Sequence, residues 1–141
     1  MSNAQVRTLL IALSWALYSV SLFLPALLFN TRGPLEGFWV LIWGWWGLMG
    51  MSPAWLANLT FYAAGIACIT GKDVFARWAG GLTLLLGLSS FAAKEWWFSE
   101  GSGTPIRALG GGFYLWMASF VVLLVACFIV LPVQRRMRPN A

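Results

Sequence analysis

Four long apolar stretches constrain the fold of this chain more than any other feature of its sequence. They cover residues 8–29, 53–70, 74–93 and 112–131, and Arg77 is the one charged residue within them. A helix needs about 20 mainly apolar residues to cross the roughly 30 Å hydrocarbon core of a bilayer. The sequence therefore predicts an all-α polytopic membrane protein, in which a single domain of residues 1–141 holds a bundle of four transmembrane helices.

The composition agrees with a membrane location and excludes several kinds of active site. Of the 141 residues, 60% are hydrophobic and 9% are charged, whereas a soluble domain has about 25% charged residues. The chain contains no histidine, which excludes a Ser-His-Asp triad, a His-ligated haem and the usual zinc sites. We expect no cofactor and no metal.

Residues that typically start or stop helices flank these stretches. Ser52 and Pro53 are predicted to be the N-cap and the first residue of the second helix, Gly71 its end, and Asp73 the N-cap of the third helix. The second and third helices should therefore form a tight antiparallel hairpin. Pro25 is predicted to kink the first helix near its far end.

The distribution of lysine and arginine predicts the orientation in the membrane. With the amino terminus in the cytoplasm, six basic residues fall on the inner side and three on the outer side, and an excess of basic residues marks the cytoplasmic side. We therefore expect both termini in the cytoplasm. The inner residues are Arg7, Lys72, Arg77, Arg135, Arg136 and Arg138, and the outer ones are Arg32, Lys94 and Arg107.

A tryptophan-rich segment at residues 38–51 separates the first two predicted spans. Its 14 uncharged residues would reach only about 21 Å as a helix, which is too short to cross a bilayer. We expect an interfacial or re-entrant helix at the outer leaflet, with Trp39, Trp43 and Trp46 on one stripe. The segment is interpreted either as a docking platform or a lid over an intramembrane cavity, or as a simple interfacial anchor.

Small residues recur along one face of the third predicted helix. This face is a candidate packing interface, because small residues let helix backbones approach closely in membranes. It can serve the four-helix bundle of one chain, or it can contact a second copy or another membrane protein. Its members are Ala76, Gly80, Thr83, Gly87 and Ser90.

Polar residues inside the predicted spans are few. Asn58 and Ser119 are the main candidates, and Asn58 is expected to make an interhelical hydrogen bond. The middle of the membrane would hold no charged side chain, which argues against proton-coupled transport. Cys68 and Cys127 are expected to lie at the same depth as small packing residues without a disulfide.

The loop after the third span carries the densest group of reactive side chains, namely Lys94, Glu95, Glu100 and Arg107. Its glycines predict a solvated, flexible linker. Catalysis by Glu95 or Glu100 would require a partner held within hydrogen-bond reach.

Two apolar motifs carry a resemblance to a known group of proteins. The sequence W-L-A-N at residues 55–58 opens the second predicted helix, and G-F-Y-L-W-M-A-S at residues 112–119 opens the fourth. Together they resemble small uncharacterised bacterial inner-membrane proteins with four predicted helices. The resemblance covers most of the chain and implies a location in the bacterial inner membrane, with no assigned activity.

The leading hypothesis is a non-enzymatic integral membrane protein that acts by protein or lipid contact, as an accessory, assembly or immunity-type subunit. Its expected partners are membrane lipids and a membrane protein or a second copy of the chain, and not nucleic acid. The alternative is a homo-oligomeric channel or pore for ions or small neutral solutes. A lipid-modifying enzyme that uses Glu95 or Glu100 is the third hypothesis.

Overall fold

The computed structural model describes residues 2–48, 52–99 and 101–129, and its main elements are helical. The helices are α1 (Asn3–Ser21), α2 (Gly37–Trp43), α3 (Leu56–Ile69), α4 (Asp73–Leu88) and α5 (Gly111–Phe128). Short 3-10 turns at Gly44–Leu48, Pro53–Trp55 and Ser89–Ala92 extend α2, precede α3 and extend α4.

Four of these helices form a bundle. Helix α1 packs along α5, α3 packs along α4, and α4 also contacts α5. The centre of the bundle is filled by the buried aromatic rings of Tyr18, Phe61 and Phe120, together with Leu123 and several small residues. The bundle therefore has a packed interior in the part of the chain that the structure describes.

Two helices in the described ranges are long and apolar enough to cross a membrane. These are α4 with its 3-10 extension, Asp73–Ala92, and α5, Gly111–Phe128. The third candidate, Pro53–Ile69, is apolar but shorter. Length and composition thus point to membrane association through α4 and α5.

A small antiparallel sheet contradicts the prediction of an all-α fold. Its strands are β1 (Pro25–Phe29), β2 (Leu35–Glu36), β3 (Glu95–Trp97) and β4 (Gly103–Leu109), and their spatial order is β2-β1-β4-β3. Leu27 pairs with Leu109 in the register between β1 and β4. The sheet therefore joins the segment after α1 to the segment before α5.

The predicted end of the first span, residues 8–29, is wrong. Helix α1 ends at Ser21, and Pro25 is the first residue of strand β1. Proline lacks the N–H that a helix interior requires, and it restricts the preceding residue, here Leu24, to extended backbone. Pro25 therefore redirects the chain into the sheet instead of kinking a continuous helix.

The prediction of a flexible linker after the third span is also wrong over most of its length. Residues 95–97 and 103–109 are the strands β3 and β4, which pair through Glu95 with Pro105 and Trp97 with Gly103. Alternation of exposed and half-buried residues along β4 places one of its faces against the rest of the molecule.

The hairpin between α3 and α4 follows the prediction. Gly71 has a φ of 75°, a left-handed conformation that glycine adopts without steric cost. The N–H of Lys72 donates to the Ala67 carbonyl at 2.9 Å and closes the end of α3. The caps differ in detail, because Lys72, not Asp73, is the N-cap of α4, and Ser52 occupies the cap position before Pro53 without a side-chain cap bond.

Several sequence predictions fall outside the described residues. They concern residues 49–51 at the end of the tryptophan segment, Glu100, the end of the fourth span at Leu131, and the basic residues Arg135, Arg136 and Arg138.

Candidate functional site

The small-residue face of α4 is covered by other helices of the same chain. Ala76, Gly80, Thr83 and Gly87 are buried, and Ser90 is half-buried in the following 3-10 turn. A Cβ atom on Gly80 would lie 3.1 Å from Leu124 of α5, and one on Gly87 would lie 3.0 Å from Met117 and Phe120. These positions therefore serve packing inside the bundle.

Hydroxyl groups on this face form a short polar contact between α3 and α4. The Thr83 hydroxyl lies 2.8 Å from the Thr60 hydroxyl and 2.8 Å from the carbonyl of Ala79, to which it donates. On the other side of the bundle, the Ser14 hydroxyl donates to the Ser119 carbonyl at 2.8 Å. The Ser119 hydroxyl itself donates to the Trp116 carbonyl within α5.

Asn58 links three helices, as the sequence predicts for an interhelical hydrogen bond. Its side-chain oxygen Oδ1 accepts from the Tyr18 hydroxyl at 2.8 Å and from Nε1 of Trp116 at 2.9 Å. Its amide nitrogen donates to the Trp55 carbonyl at 2.9 Å. An indole N–H can only donate, so the atom of Asn58 that faces Trp116 must be the oxygen.

Arg7 is a structural residue that the sequence analysis assigned only to membrane orientation. Its side chain is 3% exposed, and its guanidinium donates to the Cys68 carbonyl at 2.6 Å and to the Asp73 carboxylate at 2.5 Å. A longer bond of 3.4 Å reaches the carbonyl of Ile129, just beyond α5. Arg7 thus ties α1 to the ends of α3 and α5 and to the start of α4.

The two cysteines lie together next to this charged group. Both are buried and are not joined in a disulfide, and they lie close enough to interact with each other. Arg77 lies at the same end of the bundle, where its Nε donates to the Cys127 carbonyl at 3.1 Å. The predicted proximity of Cys68 and Cys127 is therefore confirmed.

A cap covers the opposite end of the bundle. It consists of the four-stranded sheet, helix α2 and the 3-10 turn Gly44–Leu48, and its own apolar cluster is centred on Ala26, Leu27 and Phe29. We call this assembly the cap. It closes the end of the bundle at which α1 and α4 finish and α3 and α5 begin.

Helix α2 is fixed to the bundle at both of its ends. At its start, the N–H groups of Gly37 and Phe38 donate to the carbonyls of Leu24 and Leu22 at 3.0 and 2.8 Å. Near its end, Nε1 of Trp55 donates to the Leu41 carbonyl at 2.8 Å. The Trp55 ring passes so close to Gly44 that a Cβ atom there would lie 2.8 Å from it.

A cavity of about 150 Å³ lies between the cap and the bundle. Helix α2 contributes Val40 and Leu41 to its lining, and the sheet contributes Leu27, Ile106 and Leu109. On the bundle side it is lined by aromatic and small residues of α3, α4 and α5 and the turns next to them, among them Ala54, Trp55, Asn58, Ser90, Phe113 and Trp116.

The tryptophan stripe faces away from this cavity. Trp39, Trp43 and Trp46 are all exposed, whereas Val40 and Gly44 line the cavity from the other side of the same segment. The segment therefore forms one wall of the cavity and presents its indole rings to the surroundings.

The charged residues considered for catalysis lie on the surface of the cap. Lys94, Glu95 and Arg107 are exposed, and the Glu95 side chain lies against Gly103 of the neighbouring strand. Glu95 also contributes to the lining of the cavity, together with Trp96.

Comparison of the chain with protein-family models, with curated proteins and with solved structures finds no match in any of the three.

Proposed function

We propose that this protein is a non-enzymatic integral membrane protein of the bacterial inner membrane that acts by contact with lipid or protein at its capped end. In this proposal α1, α3, α4 and α5 all cross the bilayer, and the cap lies at the outer surface. The proposal depends chiefly on one observation, which is the distribution of apolar side chains between the inside and the outside of the bundle.

The bundle exposes many large apolar residues, whereas most of its buried positions, apart from a few large side chains such as Phe61 and Phe120, hold small or polar residues. Trp78, Leu85 and Ile66 are 79%, 68% and 59% exposed, and Leu9 and Leu13 on α1 are exposed as well. A water-soluble protein rarely exposes contiguous apolar patches of such extent, whereas helices in lipid turn large apolar residues outward and pack through small ones. The distribution supports lipid contact for α1 and α3 in addition to α4 and α5.

Helix lengths are consistent with this arrangement. Helix α1 has 19 residues, which corresponds to about 28 Å at 1.5 Å per residue. The apolar segment Pro53–Ile69 lies at the short end of the range of about 17 to 25 residues seen for spanning helices. Both helices can therefore cross a bilayer when they pack against longer neighbours.

Charge placement supports an orientation with the cap outside. Arg7, Arg77 and the exposed Lys72 lie at the end of the bundle opposite the cap. The segments of the cap also carry three basic residues, so the excess comes from the sequence after α5, which adds three arginines; the cap residues are Arg32, Lys94 and Arg107, and the added arginines are Arg135, Arg136 and Arg138. A cluster of basic residues next to membrane spans favours the cytoplasmic side. The exposed tryptophans of the cap would then lie at the outer interface, where indole rings concentrate.

Contact is favoured over catalysis because the polar side chains of the candidate positions bind within the chain, and among the described residues the buried polar side-chain atom without a partner is the indole nitrogen of Trp15. The Asn58, Thr83, Ser119 and Arg7 side chains each have partners within the chain. The centre of the bundle is filled by Tyr18 and its aromatic neighbours, so that a channel would require a pore between several copies.

The membrane arrangement can be tested by labelling single cysteines with a membrane-impermeant maleimide in spheroplasts. In a background with Cys68 and Cys127 replaced by alanine, we expect labelling of Thr31→Cys and Ser102→Cys on the cap, and labelling of Ser2→Cys only after permeabilisation. Equal labelling of both ends in intact spheroplasts, or release of the protein by alkaline carbonate, would overturn the arrangement.

The mode of action can be tested by purification in mild detergent followed by mass determination. A complex with another membrane protein, or a monomer with bound lipid, supports action by contact. A homo-oligomer that conducts ions in liposomes would support the channel hypothesis instead.

A further inference from the structure

Hydrogen bonds to backbone carbonyls fix the cap over the cavity. The N–H groups of Gly37 and Phe38 fix the start of α2, and the indole of Trp55, which itself lines the cavity, donates to the carbonyl of Leu41. On the sheet side, the N–H of Gly110 donates to the Ala26 carbonyl at 2.8 Å. The cap therefore spans the cavity as a fixed roof, and the apolar side chains of the lining take no part in these bonds.

The chemistry of the lining favours an apolar ligand. Val40, Leu41, Leu109 and Phe113 supply hydrocarbon surface, and pockets of this kind take up apolar groups. Two polar side chains of the floor bind within the protein, since Asn58 accepts from Trp116 and the Ser21 hydroxyl donates to the Tyr18 carbonyl. The charged side chain of the lining belongs to Glu95, an exposed residue of the cap. A strongly polar ligand would have to displace these bonds.

The size and the position of the cavity further restrict the kinds of ligand that it can bind. An apolar cavity of about 150 Å³ accepts a group the size of benzene, which is comparable to a short run of chain methylenes. Exposed indole rings of the cap, including Trp43 and Trp97, lie in the elements that form its roof. In the proposed orientation the cavity therefore lies close to the level at which lipid chains emerge from their headgroups.

We infer that this cavity binds the hydrocarbon chain of a membrane lipid, either a fatty acyl chain or an isoprenoid chain. The inference rests on the proposed function, because it requires the cap to lie at the membrane surface. It assigns the tryptophan-rich segment two roles. Val40 and Leu41 contact the bound chain, and the tryptophans on the opposite face of the segment anchor the roof at the membrane interface.

The test uses the full-length protein in nanodiscs that contain a phospholipid with a photoreactive diazirine in its acyl chain. After illumination, cross-linked peptides are mapped by mass spectrometry. Peptides from the outward face of α4, which carry Trp78 and Leu85, report ordinary lipid contact. Cross-links that fragmentation assigns to Val40, Leu41 or Leu109 report the cavity, and the peptides with such cross-links are called the cavity peptides.

We expect cross-links both at the cavity and on the outward face of α4. Excess polyprenol should lower labelling at the cavity more than labelling on α4 if the ligand is an isoprenoid chain. It should lower both in the same proportion if the ligand is an acyl chain. This measurement uses the unaltered sequence and does not depend on the folding of a variant.

A matched pair of variants supplies the second readout. Ala54→Phe fills the cavity from its bundle side, whereas Ala108→Phe adds the same side chain at an exposed position of β4 that does not line the cavity. We expect Ala54→Phe to lower cavity labelling by about tenfold and Ala108→Phe to leave it unchanged, with labelling of α4 equal in both.

The outcomes separate this inference from the proposed function. Labelling of α4 with none at the cavity, or cavity labelling that Ala54→Phe leaves unchanged, overturns the lipid site and leaves the membrane arrangement intact. Absence of labelling on α4 as well overturns the membrane arrangement itself.

Discussion

The guanidinium of Arg7 donates to the carboxylate of Asp73 at 2.5 Å, although 66 residues separate them in the sequence. The same guanidinium donates to the Cys68 carbonyl at the end of α3. A helix C-terminus leaves carbonyl groups without intrahelical partners, and a cation there also interacts favourably with the helix dipole. One buried side chain of α1 therefore stabilises the α3–α4 hairpin.

Replacement of Arg7 should destabilise the bundle. In Arg7→Gln the carboxylate of Asp73 loses its ion pair, and the Cys68 carbonyl loses its charged donor. We expect the free energy of unfolding to fall by about 2 kcal/mol. This is less than for a fully buried ion pair, because Asp73 is 31% exposed. Thermal unfolding in detergent would measure it, with Lys72→Gln at the exposed neighbouring position as the control. Equal melting temperatures for the two variants would contradict the role assigned to Arg7.

Removal of the Asn58 side chain should also destabilise the bundle. Asn58→Leu would leave the Tyr18 hydroxyl and the Trp116 indole without their shared acceptor, and each buried donor left unpaired costs about 1–3 kcal/mol. Tyr18→Phe removes the hydroxyl group itself, so no buried donor is left unpaired. We therefore expect the free energy of unfolding to fall by only about 1 kcal/mol. Denaturation with increasing fractions of SDS would rank the two variants, and the opposite order would refute this account of the network.

The glycines of α4 offer a matched test of helix packing. A Cβ atom on Gly87 would lie 3.0 Å from Phe120, whereas one on Gly81 meets nothing within 4 Å. Gly87→Leu should therefore overpack the α4–α5 contact and cost about 1–3 kcal/mol. Gly81→Leu should be neutral or stabilising, because glycine is a poor helix former. Melting temperatures in detergent would compare them, and size-exclusion chromatography would detect a change of assembly. A stable Gly87→Leu variant that loses a binding partner would reassign this face to intermolecular contact.

The sequence predicted the approximate positions of α3, α4 and α5 because each of them lies in a mainly apolar stretch, whereas the first span was misplaced, since α1 is Asn3–Ser21. The α3–α4 hairpin was also predictable, since Gly71 and the adjacent charged residues mark a turn locally. The burial of Ala76, Gly80, Thr83 and Gly87 on one side of α4 follows from their spacing. Which helix covers that side does not follow from the spacing, and the structure places α3 and α5 there.

The sheet and the Arg7 contacts could not be predicted in the same way, because they depend on residues far apart in the sequence. The run Pro25–Phe29 continues the apolar stretch that begins within α1, and a short apolar run does not distinguish a strand from a helix. Its pairing through Leu27 with Leu109 is visible only in three dimensions. The cavity follows from that pairing, since β1 and β4 form part of its roof.

The indole of Trp55 should control the rigidity of the cap. Trp55→Phe keeps an aromatic ring but removes the N–H that donates to the Leu41 carbonyl, and α2 would then be fixed to the bundle mainly at its start. Segments with fewer fixed contacts open more often, so amides within residues 40–48 should exchange hydrogen for deuterium faster. Mass spectrometry of the exchanged protein in detergent would measure this, with Trp97→Phe as the control, since Trp97 is 56% exposed on β3. Unchanged exchange in α2 would show that the sheet alone holds the roof of the cavity in place.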